Sequence, residues 1–277
     1  MALTLDRVGF AYPAASGVYA PAVDGVSLFV EPGELVLVLG ATGSGKSTLL
    51  QIAAGLLEPS SGASEIDGAP LSRSSARGAV GLVFQDAEAQ LFAETVLDDV
   101  AFGPANLGAS REGGREAARD ALERVGLPHE DFAARSPFGL SGGEARRAAI
   151  AGVVAMSPRY LLMDEPTAGL DARGRRAVRS LIRAERERSG VVVVSHSADE
   201  FLGDADRVLL LACGRGVFAG SAAELVAHPE KFADAGLTAP DVLRLQQLAA
   251  ERGLVLPQFT LDPDAVAHAL VSAGGWS

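Results

Sequence analysis

Lysine is almost missing from this 277-residue chain: Lys46 and Lys231 are the only two among 24 basic residues. Acidic residues outnumber basic ones 35 to 24, for a net charge of −11. That balance leaves no broad basic face to follow a phosphate backbone, and it argues against a nucleic-acid partner. Cysteine occurs once, at Cys213, so neither an intrachain disulfide nor a cysteine zinc site can form. Set in the apolar run RVLLLAC, that thiol reads as a small buried hydrophobe. No stretch approaches the ~18 apolar residues needed to cross a bilayer, and the opening MALTLDRVGF lacks the basic-then-apolar layout of an export signal. The chain is therefore expected in a reducing cytoplasm, held at a membrane only through a partner.

Core material is ample. Hydrophobic residues make up 48% of the chain, enough to fill one large α/β domain with an appendage. Two strand-like runs, ALTLDRVGFAY and VSLFV, precede the continuous apolar run LVLVLG, which is typical of a buried parallel strand. Leu49, Leu50, Ile52, Ala53 and Leu56 then recur at helical spacing, with Pro59 as the expected stop. The segment 60–85 carries the turn signals SSG and DGAP and ends in the strand AVGLVF. A mostly helical stretch covers about 86–158, broken by Gly and Pro. Strands return at RYLLMDE, GVVVVSH and DRVLLLAC, with an amphipathic helix through Val178, Leu181 and Ile182 among them. This alternation argues for a mainly parallel sheet with helices on its faces. Beyond about 220, SAAELVAHP, APDVLRLQQLAAERG and DPDAVAHAL read as short amphipathic helices, the last two opened by proline.

The stretch 40–51, GATGSGKSTLLQ, matches G-x-x-x-x-G-K-[ST] at Gly40, Gly45, Lys46 and Ser47, between a buried strand and a helix as that pattern requires. Glycines let successive backbone N–H groups of Ala41, Thr42, Gly43 and Ser44, together with the helix N-terminus, converge on a phosphate. Lys46 threads inside the loop and places a compact charge between β- and γ-phosphates, where a planar Arg fork needs more width. This explains why one of two lysines survives here in a chain otherwise drifted to arginine. The Ser47 hydroxyl is suited to Mg²⁺, and Thr48 backs up the phosphates. In RYLLMDEP an apolar strand ends in Asp164 and Glu165; Asp164 is placed to hold the Mg²⁺ shell and Glu165 to polarise an attacking water. Two adjacent carboxylates there would be costly without a cation or a shared proton.

The stretch PFGLSGGEARRAAIAGVVAM narrows the class. With LSGGE at 140–144, Glu144 replacing the commoner Gln, the chain resembles the ATPase subunit of ABC transporters over residues 3 to about 220. The resemblance implies a P-loop NTPase α/β core with a mainly parallel sheet and an N-terminal antiparallel β region. It implies an ATPase domain over 1–219 with a helical subdomain inserted at about 86–158, and a small C-terminal helical dimerisation region over 220–277. ATP and Mg²⁺ are the implied ligands. By the same resemblance Tyr12 stacks on adenine, although taken alone an exposed Tyr beside Pro13 is an ordinary turn feature. Gln85 in VFQD matches the glutamine that senses Mg²⁺ and takes part in catalysis, and Asp171 in AGLD matches the D-loop aspartate. His196 in VVVVSHS matches the switch histidine that contacts the γ-phosphate and orients Glu165 and the water; Ser197 stands where the family usually has Asp. Ser141 and Glu144 form a capping box of their own. In the family the segment Ser141, Gly142, Gly143 and Glu144 completes the nucleotide site of an opposing subunit, so that two chains clamp two ATP molecules.

Residues 84–108, FQDAEAQLFAETVLDDVAFGPANLG, resemble the corresponding segment of energy-coupling-factor importers and of cobalt or nickel uptake systems, with Asp86-Ala87 in place of the usual Asn-Pro. Thr95 and Asp98 are suited to cap a short helix that Pro104 limits. Its apolar face of Val96, Leu97 and Val100 either packs on the domain or meets a partner. The Leu91-Phe92 pair is the better candidate for receiving a membrane protein's helix. The tail LTAPDVLRLQQLAAERG resembles the C-terminal region that holds the two ATPases of that group together. The resemblance thus implies an ATP-hydrolysing subunit that energises a vitamin or transition-metal importer from the cytoplasmic face. Its implied partners are a second ATPase, itself or a paralogue, a transmembrane scaffold protein and a substrate-binding membrane protein. The alternatives are a soluble ABC-type ATPase of DNA repair or translation, a small-molecule P-loop kinase, and the ATPase of another transporter class. The acidic charge, and the absence of a long coiled-coil insertion or a second cassette, disfavour the first.

Overall fold

The computed structural model describes residues 1–13, 19–254 and 258–274. Strands β1 (Leu3–Pro13), β2 (Tyr19–Val30) and β3 (Leu35–Gly40) lead into helix α1 (Lys46–Ala53). Then come β4 (Ser61–Ile66), β5 (Ala69–Pro70), α2 (Arg73–Ala76) and β6 (Val80–Val83). A helical run holds α3 (Val96–Asn106), α4 (Arg111–Arg124), α5 (His129–Phe132) and α6 (Gly142–Val154). Alternation resumes with β7 (Tyr160–Asp164), α7 (Ala172–Arg186), β8 (Gly190–Ser195), β9 (Arg207–Ala212) and β10 (Arg215–Ser221). The tail contributes α8 (Ala222–Ala227), α9 (Lys231–Asp234), α10 (Asp241–Glu251) and α11 (Pro263–Gly274).

The strands form a six-stranded sheet in the order β10-β9-β3-β8-β7-β6 and a four-stranded antiparallel sheet in the order β2-β1-β4-β5. The larger sheet is parallel except for β10, which pairs antiparallel with β9. Every residue of β3, β7 and β8 is buried, as expected of inner parallel strands covered on both faces. The two faces of β3 feed different cores. Leu35, Leu37 and Leu39 pack with helices α3, α4, α6 and α7. Val36 and Val38 pack with Leu49, Leu50 and Ile52 of α1 and with Leu3 and Val8 of the antiparallel sheet. The period-two alternation of side chains along a strand produces that split. Topology also sets the site. β8 lies between β3 and β7, so the segments leaving Gly40, Ser195 and Asp164 emerge side by side at the carboxyl edge of the sheet, where open α/β sheets form their crevice.

Several local expectations are corrected. Helix α1 ends at Ala53 rather than running to Pro59, because Gly55 turns left-handed at φ +67 and Leu56 is left exposed. A Cβ at Gly55 would crowd the Ser72 carbonyl. The SSG signal is not a turn: Ser61 opens β4, and the register shift between Asp6/Ala63 and Gly9/Ser61 marks a bulge at Gly62, φ +79. DGAP does form the two-residue hairpin turn, with Asp67 and Gly68 both at positive φ. Pro104 lies inside α3, which runs two residues further. Cys213 is exposed, at φ +48 in the β9–β10 turn, because the apolar strand closes at Ala212.

The tail shares the central core. Leu225, Phe232 and Leu243 belong to the same buried cluster as β3 and β8. Gln246, 1% exposed, holds the tail together with three bonds, its amide donating to the carbonyls of Val242 and Thr260 and accepting from Thr260 N–H.

The two sheets are joined by Tyr160, fully buried on β7, whose hydroxyl donates to Asp67 Oδ1 at 3.0 Å; Arg159 also pairs with Asp67. Burial first, and the bond to Asp67 second, push the Tyr160 phenol up to about 12. The folded state therefore holds this proton more tightly than the unfolded chain, whose phenol ionises near 10. The resulting stability is complete below about pH 10 and is lost as pH rises towards 12. Tyr160→Phe should cost about 1–2 kcal/mol at neutral pH by leaving Asp67 short of a donor, and it should abolish that alkaline loss. Denaturant midpoints measured from pH 7 to 12 check both; an unchanged alkaline slope would refute the assignment.

Candidate functional site

The loop Gly40–Lys46 bridges the end of β3 and the start of α1. Gly45 caps α1 in a left-handed conformation, φ +99, and a Cβ there would overlap the Ala22 carbonyl oxygen. At Gly40 a Cβ would overlap the Leu211 carbonyl and the Ser44 hydroxyl. Glycine is therefore required sterically at both positions. Lys46, 8% exposed, turns back into the loop, its Nζ donating to the carbonyls of Gly40 at 2.7 Å and Ala41 at 3.0 Å. Burial lowers its pKa, while the carboxylates of Glu165 and Asp164 act in the opposite direction. The Ser44 hydroxyl is buried in the same loop with no hydrogen-bond partner, which leaves a donor available for an incoming anion. A shallow cavity of about 180 Å³ lies over Gly43, Ser44, Gly45, Lys46, Ser47 and Thr48.

Across the sheet edge, Asp164 is buried at the end of β7, and burial raises its pKa; the Ser47 hydroxyl bond and the charges of Lys46 and Arg146 act against that rise. A hydroxyl and a carboxylate brought together beside a phosphate loop are hard oxygen donors of the kind Mg²⁺ takes. Glu165, the next residue, sits at φ +49, a conformation that costs energy for a residue with a side chain. Its Oε1 lies 2.9 Å from His196 Nδ1, just past the end of β8. His196 is 66% exposed, so the sheet brings it to the crevice and not into the core. Tyr12 also reaches the loop: its hydroxyl lies 3.4 Å from Thr48 Oγ1, its ring meets Phe10 edge to face, and 42% of the residue is exposed.

Other predicted residues lie elsewhere. Gln85 is exposed beyond β6, and no hydrogen bond joins its side chain to Ser47 or Asp164 among the described residues. Ser141 caps α6 in the expected box: its hydroxyl and N–H donate to Glu144 Oε2 at 2.7 and 2.8 Å, and Glu144 N–H returns to Ser141 Oγ. Those bonds, led by the hydroxyl, hold the Glu144 carboxyl below its usual range. Asp171 caps α7 by accepting from Gly174 N–H at 2.7 Å. Ser141, Gly143, Glu144 and Asp171 line a different cavity, about 510 Å³, together with Arg147 and Arg173. Neither cavity is lined by the residues of the other.

Arg146 escaped the motif reading. It is 6% exposed and donates to the carbonyls of both Gln85 and Glu165. The signal was present: Arg146, Ile150 and Val154 recur every four residues, so the arginine shares the buried face of α6. Thr167, buried after Glu165, is likewise bonded to Glu200, beyond His196.

A family model described as ABC transporter matches residues 23–168. The chain is 44% identical over 272 residues, 94% of each chain, to the energy-coupling factor transporter ATP-binding protein EcfA2 of Symbiobacterium thermophilum. It is 41% identical to the Streptococcus sanguinis protein of the same name, over 94% of this chain and 96% of that one. Among solved structures it resembles cbiO1 of Clostridium perfringens, described as part of the ABC transporter complex cbiONQ, at 32% identity and TM-score 0.71 over 88% of this chain and 98% of that one. It also resembles a dimeric bacterial ABC transporter cassette, MJ0796, at 28% identity and TM-score 0.72 over 80% of this chain and 99% of that one.

Proposed function

The chain belongs to the ABC transporter ATPases, and from that premise we propose how its residues turn ATP hydrolysis into work. It is the ATP-binding and hydrolysing subunit of a transporter of the energy-coupling-factor type. The loop Gly40–Thr48 takes the β- and γ-phosphates, Lys46 exchanging its two carbonyl partners for phosphate oxygens. Ser47 and Asp164 would hold Mg²⁺, with Gln85 as a further oxygen donor for it. When bound, that ion neutralises charge on the phosphate oxygens. Glu165 accepts the proton of the attacking water, and His196 orients its carboxylate. The single observation that carries this reading is the 2.9 Å contact of His196 with Glu165, beside the buried pair of Lys46 and Asp164.

The same geometry supports the reading of the partners. Ser141, Gly142, Gly143, Glu144 and Asp171 serve the nucleotide of a second ATPase chain, since they line a cavity apart from this chain's own loop. Tyr12 stacks on that nucleotide's counterpart in its own loop. We assign residues 1–219 to the ATPase domain, with 86–158 as its helical subdomain, and 220–277 to the contact between two such chains. In support, α10 buries Leu243 and Gln246 while leaving Leu245 and Leu248 exposed on its other side. Towards the membrane, Val96 and Val100 are fully buried and Leu91 packs on the core, so that face serves the domain itself. Phe92 remains outside, edge to face with Phe102, its N–H and that of Ala93 anchored on Asp99. These exposed rings are the proposed seat of a transmembrane scaffold's helix. No helix among the described residues is long and apolar enough to cross a membrane, and the chain works at the cytoplasmic face through that scaffold, with cargo recognised by another subunit.

Purification of the tagged chain from mild-detergent extracts, with mass spectrometry of what accompanies it, tests the assignment. A second ATPase with a membrane scaffold and small substrate-binding membrane proteins is expected. Recovery with soluble or nucleic-acid-associated proteins alone would overturn the transport reading and leave the ATPase reading intact.

A further inference from the structure

Arg146 occupies a position that the nucleotide chemistry above does not use. It sits one turn into α6, the helix capped by Ser141, and is 6% exposed. A guanidinium taken out of water is normally answered by a carboxylate. Here the nearest, Glu88 Oε2, lies 3.8 Å from Nη1, and Nε has no partner. A single nitrogen, Nη2, instead donates to two backbone carbonyls, Gln85 at 2.7 Å and Glu165 at 2.6 Å. An arginine kept for stability alone would be expected to spend its donors better.

The two carbonyls are informative. Glu165 is held at φ +49, a strained conformation that persists only where neighbours over-determine it. Its backbone has three such ties: its N–H to Val194 at 3.0 Å, its carbonyl from Ala168 N–H at 3.1 Å, and the charge-assisted bond from Arg146. Gln85 begins the segment that carries the exposed Phe92. Because one nitrogen serves both carbonyls, displacement of the Gln85 backbone changes the restraint on Glu165 directly.

Resting on the ATPase reading above, we propose that Arg146 is a positioning residue: it pins the Glu165 backbone in its strained conformation and links that conformation to the position of the segment 85–92. The side chain acts through the Glu165 backbone carbonyl. Its loss misdirects the Glu165 carboxylate, lowering turnover while leaving nucleotide affinity, set at the loop 40–48, largely intact.

The test compares wild type with Arg146→Met and Arg146→Lys in the full assembled complex. ATP hydrolysis is expressed as kcat per nucleotide site, counted by titration with a non-hydrolysable ATP analogue, so that unfolded protein does not contribute. Met removes every donor. Lys keeps the charge but is one atom shorter and cannot reach both carbonyls. Arg146→Met is expected to lower kcat at least about tenfold and Arg146→Lys about three- to tenfold, with KM within about threefold of wild type in both. A merely structural arginine would reduce the number of sites without altering kcat per site. Wild-type kcat per site in either variant, or a loss that appears as raised KM, overturns the proposal; should the Met variant not fold, the Lys variant decides on the same criteria. Glu165→Gln measured in parallel separates the two layers. An inert wild type overturns the ATPase assignment and this inference with it, and an active Glu165→Gln removes Glu165 from the chemistry and this inference with it, whereas active wild type with inactive Glu165→Gln and equally active Arg146 variants overturns the inference alone.

Discussion

Glu165→Gln should lower the rate of ATP hydrolysis by about a thousandfold, within the range for loss of a general base, while ATP affinity stays within about threefold of wild type. The amide is close to isosteric and retains an oxygen to face His196 Nδ1, 2.9 Å from the carboxylate in the native chain. What it loses is the ability to take a proton from water. Binding is spared because the residues proposed to close around the phosphates belong to the loop after β3, not to the end of β7. Single-turnover hydrolysis and equilibrium titration with a fluorescent ATP analogue measure the two quantities separately. Turnover near the wild-type rate would remove Glu165 from the chemistry, and a parallel collapse of affinity would recast it as a binding residue. The orienting role given to His196 would then fall as well, since that role acts on the Glu165 carboxylate.

The second large effect is expected at Lys46. Lys46→Arg keeps the formal charge, yet it should weaken ATP binding by about tenfold or more, because the site accepts a compact ammonium and not a planar fork. The native Nζ lies inside the loop between the Gly40 and Ala41 carbonyls, at 2.7 and 3.0 Å. The surrounding backbone is already closed: a mere Cβ at Gly40 or Gly45 would collide with the carbonyls of Leu211 and Ala22. A guanidinium must therefore open the loop or leave it, and either outcome moves the N–H groups that receive phosphate. Lys231→Arg, at the other lysine, is the control and should bind like wild type. Titration calorimetry with thermal melting distinguishes lost affinity from lost folding. Equal affinity in Lys46→Arg would refute the steric account of why this lysine persists in an arginine-rich chain.

Much of the site was legible because it is written in consecutive residues. The phosphate loop is read from spacings of five and six along the chain, the Ser141–Glu144 box and the Thr95 cap from spacings of three, and their hydrogen bonds form between those same near neighbours. The buried strands were equally plain, since LVLVLG and VVVV admit no solvent face. Where the reading failed, a distant contact had overridden a local preference. Gly62 looked like part of a turn and is a bulge because β1 runs past it. Cys213 looked buried and is exposed because β9 turns back upon itself one residue earlier. Val96 and Val100 left two readings open until α3 was seen packed against the core.

By itself the sequence determined the family, the phosphate loop and the identities of the acidic and histidine residues that follow β7 and β8, because backbone curvature, capping and hydrophobic period act over a few residues at a time. Only the tertiary structure decided that β8 lies between β3 and β7, so that His196 meets Glu165, that the loop and the Ser141 segment line separate cavities, and that Arg146 is shared between two distant carbonyls. Those outcomes depend on strand order and on burial against residues dozens of positions away, and a pairing between remote residues leaves no mark in the local pattern of either partner.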